Sequence, residues 1–468
     1  MKKKLLTFAM VSGTALTLAA CGAGGGDNAP AGQPTTPPPA TGGGTAAQTT
    51  DPATPTSDTL AGNITFSWWG DDGRHQATRS IAELFMAENP DVNIDFFYAP
   101  WSGFQDVFAG DLMAGTEADL MQVNFNWLQL YSPFGTTFAD LERPDIAAHL
   151  DLSNWGVDEI DMVRTNGIVQ AVPSGITARV PFIRTDMWGA AGIDYLSVNT
   201  WDDLKAAGNQ LQAALGNDHW LFGKLGNAST SYFLFSFLEQ YTGRPFVDEN
   251  FQFTYTLEEL TTGFQLIQDL MDNGVFAYGQ FDSSSFNSTN ENWIAGRFGA
   301  VFEWDSSMNN WINNLEGGQD VISVRNHFTL PNALSSGVMV RPSMAFAISN
   351  NSNYPEVAAA FLNFMLTDAR AVEIMGTDRG IPANRVGLSH FQALAGSGDP
   401  RFGDAAVNAN NIHANAVTTI MSPAFEFPTV RAVYETQVEA LIYGFITVEQ
   451  AAAFVFNNIQ AEIDAELN

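Results

Sequence analysis

The chain has 468 residues, 45% of them hydrophobic and 12% aromatic, enough apolar material for two or three packed domains. Twenty Lys and Arg stand against 51 Asp and Glu, a net charge of −31, which argues strongly against nucleic acid or an anionic lipid surface as the ligand. A solvated acidic surface that keeps an exported protein soluble accounts for that imbalance.

The N-terminus reads as an export signal over residues 1–20: Lys2, Lys3 and Lys4 precede the apolar run LLTFAMVSGTALTLAA, which is too short and wrongly flanked for a membrane span. Its ending, LAAC, resembles the lipobox of bacterial lipoproteins, in which the cysteine is lipidated and becomes the first mature residue. That cysteine, Cys21, is the only one in the chain, so internal disulfides and multi-cysteine metal sites are excluded. From Cys21 to residue 61 the sequence is rich in Gly, Pro and Thr, with almost no large apolar side chain, and reads as a disordered tether. Its roughly 40 residues give a typical reach on the order of 35 Å. No later apolar run is long enough to span a bilayer.

From residue 62 the pattern turns to alternating strands and helices. NITFSWW is a short strand, and the segment after it sets Ala77, Ile81, Leu84 and Phe85 at helical spacing until ENPDV stops it. VNIDFFYA alternates as a second strand, FQDVFAGDLMAG is a helix with a glycine stop, and DLMQVNFNW opens as a third strand. This rhythm predicts parallel βαβ units, whose ligands bind beyond the carboxyl ends of the strands. Those ends deliver Trp68, Trp69 and Gly70, then Trp101, then Asn124, Asn126 and Trp127. Adjacent strand residues point to opposite faces, so one of Trp68 and Trp69 is expected in the core.

Flat indoles beside polar side chains suit sugars, whose rings have an apolar C–H face and a rim of hydroxyls. Asp71, Arg74 and His75 offer rim chemistry at the helix entrance, and Gly70 permits a tight turn. His75 reads equally as a solvated first-turn histidine. All eleven tryptophans fall between residues 68 and 311, so aromatic walls are available over a long stretch.

SWWGDDGRH, followed in order by APWSGF, DLMQVNFNW, AVPSGITARVPFIRTDMW, NTWDDLKAAG, GRFGAVFEWDSSM and YPEVAAAFLNFMLTDARA…DRGIPANR, resembles the extracellular solute-binding proteins, family 1, of bacterial ABC importers, the carbohydrate group that includes maltose-binding protein. The resemblance runs from about residue 62 to the end. It implies an α/β fold of two lobes, each a mostly parallel sheet flanked by helices, with a ligand cleft at the hinge. The first lobe would be 62–172 plus about 341–382, and the second 173–340 plus about 383–468. Ser174 and Arg179 would lie near the cleft at the first crossing, although Arg179 reads equally as a structural ion-pair residue. The second lobe would contribute Glu303, Trp304 and Asp305, with Trp220, Asn227 and Tyr232 as weaker candidates, and Arg379 and Gly380 would approach from a loop between lobes.

The implied function is a lipid-anchored, monomeric binding protein on the outer face of the cytoplasmic membrane of a Gram-positive cell. It would close on an oligosaccharide and deliver it to permease subunits driven by a separate ATPase. Tryptophans at several strand ends favour an extended ligand, and the acidic chain favours a neutral glycan except where Arg74, Arg179 or Arg379 reverses the field. A secreted glycoside hydrolase, with Asp71 and Glu303 or Asp305 as its carboxylates, and a surface carbohydrate adhesin are the rival classes. H-E-x-x-H, G-x-S-x-G and nucleotide-loop motifs are all absent, the six histidines are scattered, and no cofactor or metal is expected.

Overall fold

The computed structural model describes residues 59–223, 227–276, 288–415 and 419–467. Residues 1–20, Cys21 and the tether as far as residue 58 lie outside the described residues. The architecture is mixed α/β. Strands β1 (Gly62–Trp69), β2 (Val92–Ala99) and β3 (Leu120–Val123) alternate with helices α1 (Asp72–Glu88), α2 (Phe104–Ala114) and α3 (Phe125–Tyr131). β1 pairs in parallel with β2 on one side and β3 on the other, as the alternation requires. Ala77, Ile81 and Phe85 form the buried stripe of α1.

A two-residue hairpin, β4 (Arg164–Thr165) and β5 (Ile168–Val169), leads into the 13-residue strand β6 (Val172–Arg184). There follow β7 (Ala300–Trp304), β8 (Ile322–Val324), β9 (Met339–Ile348), β10 (Ile381–Pro382) and β11 (Thr419–Ile420). Among the numbered strands, parallel pairing is found in β3-β1-β2 and between β11 and β9; the pairings of β6 with β7, β8, β9 and β10, and of β3 with β9, are antiparallel. The antiparallel part exists because the chain returns: β9 runs back along β6 and closes against β3.

β6 serves two sheets in succession. Its first half, Val172 to Ala178, lies against β9, and its second half, Arg179 to Ile183, against β7. The apolar side chains divide accordingly. One cluster gathers Phe66, Trp68, Ile81, Phe85 and Phe361, and a second, on the other face of the same sheet, gathers Trp69, Phe104, Phe108 and Trp127. Two more form around Phe233, Phe235, Phe302 and Tyr434, and around Phe182, Trp293 and Trp311. Among the described residues no helix is long and apolar enough to cross a membrane.

At the point where β6 changes partners its backbone is packed without slack. A Cβ on Gly175 would stand 2.6 Å from the carbonyl oxygens of both Arg379 and Ile381, and the β6–β9 register shifts at this residue. Gly175→Ala must therefore displace backbone. It is expected to cost about 1–3 kcal/mol and to lower the melting temperature; an unchanged thermal melt would mean that the crossing yields freely.

Candidate functional site

Two adjoining cavities open beside the point where β6 exchanges β9 for β7. The inner one, about 250 Å³, is lined by Trp69, Trp101, Asn124, Arg179, Tyr232, Trp304, Arg341, Ser343, Glu426 and Arg431. The outer one, about 350 Å³, shares Trp101, Asn124, Glu426 and Arg431 with it and adds Gln105, Asn126, Trp127, Pro428, Ala432 and Glu435.

Trp69 and Trp68 are separated by the two-residue period of β1. Trp69 reaches the inner cavity, edge-on to Trp101 with ring centroids 5.1 Å apart. Trp68 is wholly buried on the opposite face against Phe66, Phe96 and Tyr98, and its Nε1 donates to His75 Nδ1 at 3.0 Å. His75 is thereby held as the neutral Nε2–H tautomer, and burial lowers its pKa in the same sense. Trp101, at the end of β2, is 48% exposed and lines both cavities, with Trp127 nearly parallel behind it at 11° and 5.7 Å. It is the indole with an open face.

The arginines are organised around Trp304, at the end of β7. Arg341 stacks on its ring at 4.1 Å and Arg179 at 4.9 Å, and Arg179 also lies 4.7 Å from the Tyr232 ring. Trp304 thus supports cations and offers the cavity little free face. Arg179 pairs with Glu303 at 3.3 Å and donates to Ser229 and to the Phe302 carbonyl, while its buried Nε has no hydrogen-bond partner among the described residues. Arg341 Nε lies 3.1 Å from Glu426 Oε1, the oxygen that also accepts from the Tyr232 hydroxyl at 2.9 Å. Burial, then Glu426, pushes the Tyr232 phenol well above its ordinary pKa, so it remains a donor. Arg431, one turn before Glu435 on the helix Pro428–Ile442, is paired with it at 2.9 Å.

Several predicted ligands are structural. Asp71 caps α1, accepting from the Arg74 amide at 2.9 Å. Arg74 donates to the carbonyls of Trp69 and Asp378, and a Cβ on Gly70 would strike its side chain. Arg379 is 2% exposed and points into the first sheet's packing, to Gln122 Oε1 and Thr78 Oγ1 at 2.9 Å each; burial pulls its pKa well below the ordinary value. Its carbonyl accepts from Ser343 and Ser174, and Gly380 turns beside it at φ +89° with Ser343 too close for a Cβ. Asp305 is buried, accepting from Thr177 Oγ1 at 2.5 Å and paired with His413, so it ties β7 to β6. Trp220 packs on Phe298 in a core cluster, and Glu303 reaches the cavity only through Arg179. The Asn227 side chain lies outside the described residues. Asn124 caps α3 and stands 3.5 Å from Arg341, and Asn126 donates to the Glu426 carbonyl at 3.2 Å. Among the described residues there is no metal-binding cluster of His, Cys, Asp and Glu.

The sequence reading missed Arg341, Ser343, Glu426, Arg431, Gln105 and Glu435. Arg341 carried one available signal, a lone cation on an apolar strand.

The model of bacterial extracellular solute-binding proteins matches residues 69–371. The chain belongs to that family. A periplasmic solute binding protein from Pectobacterium atrosepticum superposes with a TM-score of 0.80 at 27% identity, over 87% of this chain and 100% of that one. A periplasmic oligogalacturonide binding protein from Yersinia enterocolitica, in complex with saturated digalacturonic acid, gives 0.77 at 27% identity over the same shares. A binding protein of Brucella abortus is 29% identical over 155 residues; the match spans 31% of this chain, and the chain spans about a third, 34%, of that relative's length. The family and these neighbours are binding proteins, and the mixed α/β fold is theirs.

His327 sits behind the arginines, its Nε2 2.6 Å from the Arg179 carbonyl and its ring edge-on to Phe302. Burial lowers its pKa from 6.5 to about 4. The unfolded chain therefore binds the proton first as pH falls, and stability present above pH 6.5 is lost between there and about pH 4. The loss is on the order of 3 kcal/mol. His327→Gln, which cannot titrate, is expected to flatten that part of the denaturation profile; an unchanged slope would assign the acid sensitivity elsewhere.

Proposed function

We propose that this protein is the lipid-anchored binding component of an ABC importer and that it captures an acidic oligosaccharide between two closing lobes. The single observation that carries the ligand class is the inner cavity's set of three arginines: Arg341 is paired with the lining Glu426, while Arg179 and Arg431 are paired with Glu303 and Glu435, which do not line it. Guanidinium groups stacked on aromatic rings and partly desolvated are strong donors to a carboxylate. Trp101 supplies the flat surface that a sugar ring covers. This local field replaces the neutral glycan suggested by the chain's overall charge, and the oligogalacturonide binding neighbour supports the same ligand class.

Closure would turn on β6, the strand that serves both sheets, with lobes taken as 62–172 plus about 341–382 and as 173–340 plus about 383–468. On that division the hydrogen bond from Asn126 of α3 to the Glu426 carbonyl would join the two lobes. A ligand that contacts both walls shifts the population toward the closed form. Membrane permease subunits, powered by an ATPase on another chain, would accept the ligand from that form. Cys21 and the tether would keep the monomer at the outer membrane face.

Calorimetric titration of the full chain against uronate-containing and neutral oligosaccharides, with recovery of each sugar, tests the reading. Acidic oligosaccharides are expected to bind and to return intact. Arg341→Gln is expected to weaken binding about 10–100-fold, whereas Trp68→Phe, on the far face of β1, leaves affinity within about two-fold. Shortened sugar would mean a hydrolase, and an unchanged radius of gyration in small-angle scattering with bound sugar would mean a receptor that does not close. Cys21→Ser is expected to release the protein from the membrane fraction of a bacterium expressing it; retention there would contradict the lipid anchor.

A further inference from the structure

The two cavities differ in the sense of their hydrogen-bonding groups. The inner one presents donors: the guanidinium groups of Arg179, Arg341 and Arg431, with Arg179 Nε buried and unpartnered among the described residues. The outer one presents acceptors. Asn126 is 4% exposed, gives one Nδ2 hydrogen to the Glu426 carbonyl, and leaves Oδ1 buried without a partner among the described residues. Gln105 likewise gives one Nε2 hydrogen to the Tyr131 hydroxyl at 3.0 Å. Glu426 and Glu435 complete the wall, and among the described residues Arg431 is the outer cavity's only lining cation, already paired with Glu435.

A carboxylate is an acceptor only, whereas a sugar hydroxyl donates as well as accepts. A carboxylate in the outer cavity would face Asn126 Oδ1 and two glutamates, leaving acceptors opposed in a partly desolvated space, at a cost in affinity. Hydroxyl groups there would satisfy them. Trp101 lines both cavities, so one chain can pass across its open face from the first to the second.

We propose that the ligand is a mixed acid–neutral disaccharide or the end of a longer chain of that kind. A uronate unit sits with its carboxylate among the inner arginines, and the uncharged sugar linked to it lies against Trp101 in the outer cavity, donating to Asn126 Oδ1 and Glu435. This deepens, and rests on, the acidic-oligosaccharide reading above. It differs from an all-uronate ligand in making the second unit's charge a penalty.

Titration of the full chain with glucuronate, glucuronosyl-xylose, digalacturonate and xylobiose tests it. The expected order places glucuronosyl-xylose at least ten-fold tighter than digalacturonate and than free glucuronate. Glu435→Gln removes one opposing acceptor charge and is expected to narrow the gap to digalacturonate, with an unchanged thermal melt showing that the helix is intact. Digalacturonate binding as tightly as the mixed disaccharide would overturn this proposal and leave the acidic reading standing, as would free glucuronate matching it. Binding of xylobiose alone would overturn both.

Discussion

Everything at the cleft depends on one strand being held by two sheets. β6 is buried along nearly all of its 13 residues and exchanges β9 for β7 between Ala178 and Arg179. A strand packed on both faces cannot slip by one residue without turning every side chain to the wrong side. Its register is therefore fixed, and so is the position of Arg179 at the exchange. Thr177 and Ala178, two and one residues earlier, bind the buried Asp305 carboxylate and pin the end of β7 to the same place. Glu303 and Trp304 are thereby set opposite Arg179 rather than left to a loop.

That placement makes the arginine–aromatic stack affordable in a protein interior. Arg179 and Arg341 are each about nine-tenths buried, which would be costly for a bare cation. Each has a glutamate within 3.3 Å and a share of the Trp304 ring, and cation–π contact contributes roughly 0.5–2 kcal/mol depending on desolvation. Tyr232 adds a neutral hydroxyl to the Glu426 carboxylate. The group is a preorganised donor surface whose orientation is set before a solute arrives, so less ordering is left to be done on binding.

The fold was legible where local period decides. The parallel β1-α1-β2 unit, the helical stripe of α1 and the exposure of strand ends to a ligand edge all follow from spacing within 40 residues. From local pattern the site was legible only along that edge, while Arg179, Tyr232 and Trp304 came from the family resemblance. Trp69, Trp101, Asn124 and Trp127 line the cavities because parallel strands carry their C-terminal residues to one place. Trp68 could not be separated from Trp69 without knowing which sheet face Phe361 and its helix would cover. Arg341, Glu426 and Arg431 come from segments more than 200 residues downstream, brought in by an antiparallel return and by a helix start, and no local period announces either. Arg379 failed for a converse reason: its loop does reach the crossing, but its carbonyl faces β6 while its side chain turns back to Gln122 and Thr78.

The chain's charge of −31 and a cavity lined by three arginines and one glutamate are compatible because they act over different ranges. Exposed carboxylates are screened beyond a Debye length of about 8 Å at physiological ionic strength. Guanidinium groups in a recess of low dielectric are screened much less, so the field inside is decided by the few charges that line it. An acidic surface around such a recess discourages indiscriminate adsorption of polyanions. A short acidic solute that enters far enough to meet Arg179 and Arg341 gains donors that no site on the open surface can supply.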